Sequence, residues 1–321
     1  MRHAFGREAR SVVCRLRMSA RALLLCGLLA GLSLTVSGCG PDDDGGPPAH
    51  LTIGVLPDEG EEELRKRYAP LIAYLTQTLE TEIRLVIPRD YGDILSRFGA
   101  GELDLAYFGG VTFVEANERH GAEPLVMRDI DLQFTTYFLS RIEEPPAKVE
   151  DFRGRRFAFG SELSTSGHFM PRYFMQARGL TPEQVFASVD YSGSHDQTVY
   201  WVRDGRVDLG AANGEVVRAM LVDGRLAPGE VRIVEETPPY ADYVWAVQGH
   251  LNEAFGNRLR NAFLALSPDD ENAAEVLARL GAGGFLPARH EDFAGLREIM
   301  LSMQKESIGR DEIQSDRREP Q

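Results

Sequence analysis

Apolar positions recur along this chain in two alternating rhythms. Short continuous runs, 51–56, 82–88 and 103–108, read as buried strands. Between them, 61–79 places Leu64, Tyr68, Leu71, Ile72 and Leu75 at helical spacing, and 91–98 and 111–119 repeat that period. Strands at 125–127 and 135–140 come next. A second series then begins: a helical turn at 149–152, a strand at 155–159, a helix at 166–178, and a short helix at 182–187. After it come a strand at 189–191, a helix at 197–203, a strand at 207–212, a helix at 215–221 and strands at 231–234 and 243–247. Helices at 252–266, 272–280 and 292–303 close the pattern, and 304–321 reads as a polar, frayed tail. Strand–helix alternation of this kind predicts largely parallel sheets covered on both faces. The Glu143-Glu144-Pro145-Pro146 break predicts two α/β lobes, 51–140 with 240–303 and 141–239. Ligands of open α/β sheets bind beyond the carboxyl ends of strands, so the residues just past each strand are the candidates for a site.

The first residues break the pattern. Six arginines from Arg2 to Arg21 precede an apolar stretch at 22–36, too short to span a bilayer comfortably and suited to a secretory leader. The stretch ends in Val36-Ser37-Gly38-Cys39, which resembles the lipobox of bacterial lipoproteins. The resemblance implies that 1–38 is removed and that Cys39 is acylated. The long basic segment makes Met18 a candidate start. Residues 39–50, rich in Gly, Pro and Asp, read as a flexible tether. The expected location is therefore extracytoplasmic, in the periplasm or cell envelope, held to the membrane by lipid.

Charge and cysteine content narrow the function classes. The 49 acidic residues exceed the 35 basic ones, for a net charge of −14, and because the leader carries six arginines and one glutamate the chain after it is more acidic still, at −19. So acidic a surface argues against nucleic acid as partner. The other two cysteines, Cys14 and Cys26, fall within the leader, so no disulfide or thiolate metal site is expected. The histidines lack metal-site spacing, and neither metal nor cofactor is expected.

The most informative stretch is Phe157-Ala158-Phe159-Gly160, followed by Ser164-Thr165-Ser166-Gly167 and then Phe169, Tyr173, Phe174 and Ala177 at helical spacing. A strand hands over to a helix through three hydroxyl residues. The leading N–H groups of a helix lack internal partners and carry the positive end of its dipole. With the hydroxyls they form a nest of donors suited to an oxyanion, without Lys or Arg. The plainer alternative is an ordinary helix cap. Other strand ends carry Tyr91, Gly109-Gly110 and Ser194-His195-Asp196.

Together these stretches resemble the substrate-binding proteins of phosphonate/phosphite ABC transporters. The resemblance runs over about 51–299. It rests chiefly on Ser164-Thr165-Ser166-Gly167 with Pro171 downstream and on Gly193-Ser194-His195-Asp196. Asp90-Tyr91-Gly92, the strand Leu103 to Gly109, and Val207-Asp208-Leu209-Gly210-Ala211 support it. It implies an α/β, two-lobed periplasmic-binding-protein fold of the second type, with the ligand in the interlobe cleft. It also implies anion-binding roles for Ser164, Thr165, Ser166 and His195. Two family tyrosines fall on Tyr91 and, with a short gap before it, Tyr137, and a family aspartate falls on Asp242. Gly110 departs from the family, which often has proline or asparagine there. The implied partners are a small phosphorus-containing oxyanion and an ABC permease of the inner membrane, the chain itself acting as a monomer.

Each site residue has a chemical role to weigh against a structural one. His195 can donate a hydrogen bond to an oxyanion even when neutral. Asp242 would repel an anion unless the ligand keeps a proton. A monoprotonated phosphonate or phosphite can donate that proton, and sulfate cannot, so repulsion itself selects. Tyr91 and Tyr137 are either core aromatics or a hydroxyl-bearing wall for a small organic group. Two other function classes remain open. The same fold serves sensors that report to a membrane receptor. Ser164, His195 and Asp242 also have the composition of a hydrolase triad, although Ser164 lacks the G-x-S-x-G elbow.

Overall fold

The computed structural model describes residues 48–143, 146 and 148–316, with side chains to 305. The leader, Cys39 and the tether up to residue 47 lie outside the described residues, as do three positions at the Glu143–Pro146 break.

The first lobe is built on a six-stranded sheet. Its first three strands, β1 (His50–Val55), β2 (Glu82–Val86) and β3 (Leu105–Phe108), are joined by α1 (Glu61–Leu79) and α2 (Tyr91–Gly99). β1 pairs in parallel with both β2 and β3. These are right-sized βαβ units, in which the helix must return the chain to the same sheet edge. α1 turns Leu64, Tyr68, Leu71, Leu75 and Leu79 inward, while Glu61, Glu62 and Glu63 face water in its first turn and favour the positive end of its dipole. α3 (Gly110–His120) then leads to β4 (Glu123–Arg128).

The chain now crosses. β5 (Thr136–Ser140) enters a second, five-stranded sheet, ordered β7-β6-β8-β5-β9. The remaining elements there are β6 (Arg156–Phe159), a π turn (Thr165–Phe169) running into α4 (Met170–Ala177), and α5 (Pro182–Val185). They continue as β7 (Ser188–Tyr191), α6 (His195–Arg203), β8 (Leu209–Asn213), α7 (Gly214–Val222) and β9 (Arg232–Glu236). Its two faces bury separate clusters, one around Phe138, Phe157 and Phe159, the other around Tyr137, Val199 and Val216. The return crossing delivers β10 (Val244–Val247) back to the first sheet. There follow α8 (Glu253–Leu264), α9 (Glu271–Leu280), β11 (Phe285–Pro287) and α10 (Ala294–Asp316). The first sheet is then ordered β11-β4-β10-β3-β1-β2.

Three expectations are corrected. The sheets are mixed: β5 runs antiparallel to β8 and β9, and β10 runs antiparallel to β3 and β4. In each sheet the strand that arrives from the other lobe is opposed, because a strand entering a sheet from its carboxyl end must run against its neighbours; at the edge of the first sheet β11 also runs antiparallel to β4. Second, β5 belongs to the second lobe, so 136–140 moves across the boundary set at residue 140. All five residues of β5 are buried, and a fully buried strand does not show in its sequence which sheet holds it. Third, helix α10 carries the chain past residue 303 to Asp316, so 304–316 is helical.

The two crossings run side by side. Phe134 and Tyr240 exchange backbone hydrogen bonds of 2.9 and 3.0 Å, and the Thr237 N–H donates to the Thr136 carbonyl at 3.0 Å. The carboxyl ends of both sheets consequently face each other across this pair of segments.

Candidate functional site

Helices α2, α3, α6 and α7 and the π turn all begin in the space between the lobes. Tyr91, Gly110, Thr165, His195 and Gly214 are their first residues. Each lies just past a strand, and each brings N–H groups without intrahelical partners and a positive dipole end.

Ser164, Thr165 and Ser166 lie together, buried, at the start of the π turn. The Ser164 hydroxyl accepts the Gly167 N–H at 2.9 Å, which is the capping role, while its own proton remains available. Thr165 Oγ1 accepts the Val111 N–H at 3.0 Å and so joins the two lobes. The Ser166 hydroxyl is buried and has no hydrogen-bond partner among the described residues. A Cβ on Gly109 would sit 3.3 Å from both Asp242 Oδ1 and Thr165 Oγ1, so a side chain there would crowd the approach of α3 to the nest.

His195 enters from the second lobe, fully buried. The Asn213 backbone N–H donates to its Nδ1 at 3.2 Å. This assigns the neutral tautomer with its proton on Nε2, which lies 3.4 Å from Ser164 Oγ and 3.5 Å from the Tyr91 hydroxyl. Burial pushes the imidazole down to about 4, so it is an uncharged donor at neutral pH. It cannot accept the Ser164 proton in this tautomer, and Asp242 is not its partner, so the hydrolase triad lacks its base.

Asp242 enters from the first lobe on the return crossing. Its Oδ1 accepts the Gly110 N–H at 2.9 Å, and its Oδ2 is buried with no hydrogen-bond partner among the described residues. Burial raises it to about 7, against the pull of the Gly110 N–H and the Thr165 hydroxyl.

Tyr91 donates its hydroxyl to Asp58 Oδ1. Tyr137 does not join the group. Its ring packs against Gly214 in the second lobe's core and its hydroxyl is taken by Arg218. The reason is strand alternation: Thr136 faces the nest, donating to the Ser166 carbonyl at 2.7 Å, so its neighbour turns to the opposite face.

The hydroxyl on the nest side is instead that of Tyr240, 2.6 Å from Thr136 Oγ1. Asp58, Asn213 and Tyr243 were also missed by the sequence reading. The signal for Asp58 was available, since it comes after β1 as Tyr91 comes after β2. Burial raises Asp58 to about 6, with the Tyr91 and Tyr243 hydroxyls pulling it down. Asn213 Nδ2 donates to the Tyr243 hydroxyl at 3.0 Å, a second bridge between lobes. No group of metal-ligating side chains forms among the described residues, and no described helix is long and apolar enough to cross a membrane.

A family model described as the periplasmic substrate-binding protein of phosphonate ABC transporters matches residues 53–293. The chain belongs to this family of periplasmic substrate-binding proteins.

Among curated members of the family, a probable ABC transporter phosphite binding protein, PhnD1 of Prochlorococcus marinus, is 29% identical over 270 residues. That match covers 80% of this chain and 91% of the relative. The phosphate-import protein PhnD of Mycolicibacterium smegmatis is 26% identical, covering 79% of this chain and 86% of its own. The solved structure of the Prochlorococcus protein in complex with methylphosphonate aligns with a TM-score of 0.76. It covers 80% of this chain and 99% of that one. A binding protein component of a Pseudomonas aeruginosa phosphonate transporter, 18% identical, shares the fold with a TM-score of 0.74, covering 81% of this chain and 88% of that one.

Proposed function

We propose that this chain captures a phosphonate, phosphite or related phosphorus oxyanion between its lobes and delivers it to the permease of an ABC importer, while a lipid on Cys39 holds it to the membrane. One observation carries the choice of ligand. Ser166 Oγ and Asp242 Oδ2 are both buried without a partner among the described residues, beside the converging helix starts. An unpaired buried polar atom costs about 1–3 kcal/mol, so each favours a ligand that completes it. Ser166 offers a hydrogen to an anionic oxygen. Asp242, poised near neutrality at about 7, accepts the hydrogen of a monoprotonated oxyanion. Ser164, Thr165, the His195 Nε2–H and Tyr91 complete the proposed contacts.

The role of a binding protein rather than an enzyme fits the fixed tautomer of His195 and the function of the relatives. Calorimetry of the chain without its leader, against methylphosphonate, phosphite, phosphate and sulfate, tests the reading. At least one phosphorus oxyanion is expected to bind, with sulfate weaker by about a hundredfold or more. Sulfate binding as tightly as the phosphorus oxyanions, or no binding by any of them, overturns it.

A further inference from the structure

The turn that carries the nest is wider than a regular helix. The Phe169 N–H bonds to the Ser164 carbonyl at 3.0 Å and the Met170 N–H to the Thr165 carbonyl, so each bond reaches back five residues instead of four. In the regular register the same two N–H groups would bond to Thr165 and Ser166. A helical residue turns the chain by about 100°, so that change would carry the Thr165 hydroxyl off the Val111 N–H and the Ser166 hydroxyl out of the nest.

The wide register leaves two carbonyls over, and both are used. The Ser166 carbonyl accepts the Thr136 hydroxyl at 2.7 Å, and the Gly167 carbonyl accepts the Gly160 N–H at 2.9 Å. Pro171, with no N–H, can serve neither. The turn is thereby tied to β5 and β6.

His168 supplies a third tie. Its Nδ1 lies 2.6 Å from the Glu162 carbonyl, two residues ahead of Ser164. A carbonyl only accepts, so Nδ1 carries the proton. Nε2 is then an acceptor, and it receives the Arg172 Nε–H at 2.9 Å and the Tyr191 hydroxyl at 3.1 Å. Arg172 is held in turn by Glu183 of α5. The ring packs edge-on against Phe159 and Tyr191, with centres 4.9 and 5.1 Å apart. The tautomer is the reverse of that of His195, and the two rings have different surroundings. His195 presents its Nε2 proton to Ser164 and Tyr91, whereas His168 lines a separate cavity with Val114 of α3 and Met300 of α10.

We infer that His168 is a positioning residue for the oxyanion nest: oriented by Arg172 and Tyr191, it ties Glu162 to the turn and so holds Thr165–Phe169 in the wide register that aims the Thr165 and Ser166 hydroxyls at the ligand. The inference rests on the proposed oxyanion site and deepens it.

Two substitutions separate the hydrogen bonds from the ring. His168→Phe keeps a ring against Phe159 and Tyr191 and removes every hydrogen bond of the side chain. His168→Asn removes the ring and keeps a donor, because its amide nitrogen takes the place of Nδ1. Each is compared with wild type by calorimetry against methylphosphonate, phosphite and phosphate, with melting followed alongside. His168→Phe should weaken binding by about tenfold or more while melting near wild type. His168→Asn should recover most of that affinity although it melts lower. Wild-type affinity in a folded His168→Phe, or binding by His168→Asn no better than by His168→Phe, overturns the inference and leaves the oxyanion site standing. Nitrogen-15 NMR of wild type, which needs no variant to fold, should find the His168 proton on Nδ1, and a proton on Nε2 also overturns it. If wild type binds none of the three anions, the oxyanion site itself is wrong and the inference falls with it.

Discussion

The Asn213 backbone N–H donates to His195 Nδ1, and this one bond decides what the histidine can do. It places the proton on Nε2, facing Ser164 and Tyr91, and burial keeps the ring uncharged. Nitrogen-15 NMR of His195 should show the Nε2-protonated tautomer and a titration midpoint near 4. The folded value is depressed below the unfolded one. His195 thus contributes stability that is present above about pH 6.5 and is lost as pH falls through about 4. A midpoint near 6.5, or a proton on Nδ1, would remove the neutral-donor role.

The three hydroxyl residues of the nest should separate in their effects. Hydrogen bonds to a charged group are each worth about 1.5–3 kcal/mol. Ser166→Ala should therefore weaken oxyanion binding by about ten- to a hundredfold and hardly change melting, because its hydroxyl has no partner among the described residues. Ser164→Ala should weaken binding and also lower stability by about 1 kcal/mol, since the same oxygen caps the Gly167 N–H. Thr165→Val should weaken binding and loosen closure, because it orphans the Val111 N–H. Affinity unchanged in all three variants would reduce the nest to a helix cap.

Asp242 should govern selectivity and pH response together. Its folded value, about 7, lies above the unfolded one near 3.9, so its contribution to stability is full below about pH 4 and is lost as pH rises through 7. Asp242→Asn should abolish that loss, so the variant gains stability relative to wild type between pH 5 and 8. The amide also removes the repulsion that excludes a fully ionised anion. Sulfate should then bind within about tenfold of methylphosphonate. Unchanged sulfate discrimination in Asp242→Asn would show that selection lies elsewhere.

Membrane attachment depends on Cys39. Cys39→Ala should release the protein from membranes into the soluble fraction after cell disruption. Fractionation of the variant with membranes, as for wild type, would discard the lipid anchor.

What the sequence made legible was whatever local chemistry decides. Ser164-Thr165-Ser166-Gly167 and Ser194-His195-Asp196 carry their own helix starts, so their positions at strand ends were readable from pattern alone. Asp242 came through the family resemblance, because nothing within Tyr240-Ala241-Asp242-Tyr243 marks a return crossing. Tyr137 was misplaced because the side of β5 facing the nest is fixed by pairing with β8 and β9, partners distant in sequence. Had Thr136 been recognised as the inward residue, strand alternation would have excluded Tyr137. Tyr243 acquires its role only when the lobes meet, through its bond to Asn213, and no local pattern encodes that meeting.

Closure of the lobes is the final expectation, and Glu59 supplies the means to examine it. Its side chain is fully buried and bonds to Arg67 of its own lobe and to Arg225 of the other, the latter at 2.8 Å. Burial raises the Glu59 carboxyl, and the two arginines pull it down toward its charged form. Other bonds cross nearby: the His195 N–H to the Asp58 carbonyl at 2.9 Å and the Gly60 N–H to Asp196 Oδ2 at 3.0 Å. The first is wholly backbone and the second uses the side chain of Asp196, next to His195, so Arg225 is the partner to replace away from the nest. Removing one partner of a buried ion pair costs about 3–5 kcal/mol, and less here because Glu59 keeps Arg67. In the open form Glu59 regains water and the cost disappears, so Arg225→Gln shifts the balance toward open. Small-angle scattering should show wild type compacting when methylphosphonate is added. Arg225→Gln should be more expanded without ligand and should need about tenfold more ligand to compact. A wild-type radius that does not change at saturating ligand would exclude hinge closure. A variant that closes at the wild-type ligand concentration would exclude Glu59–Arg225 as the latch.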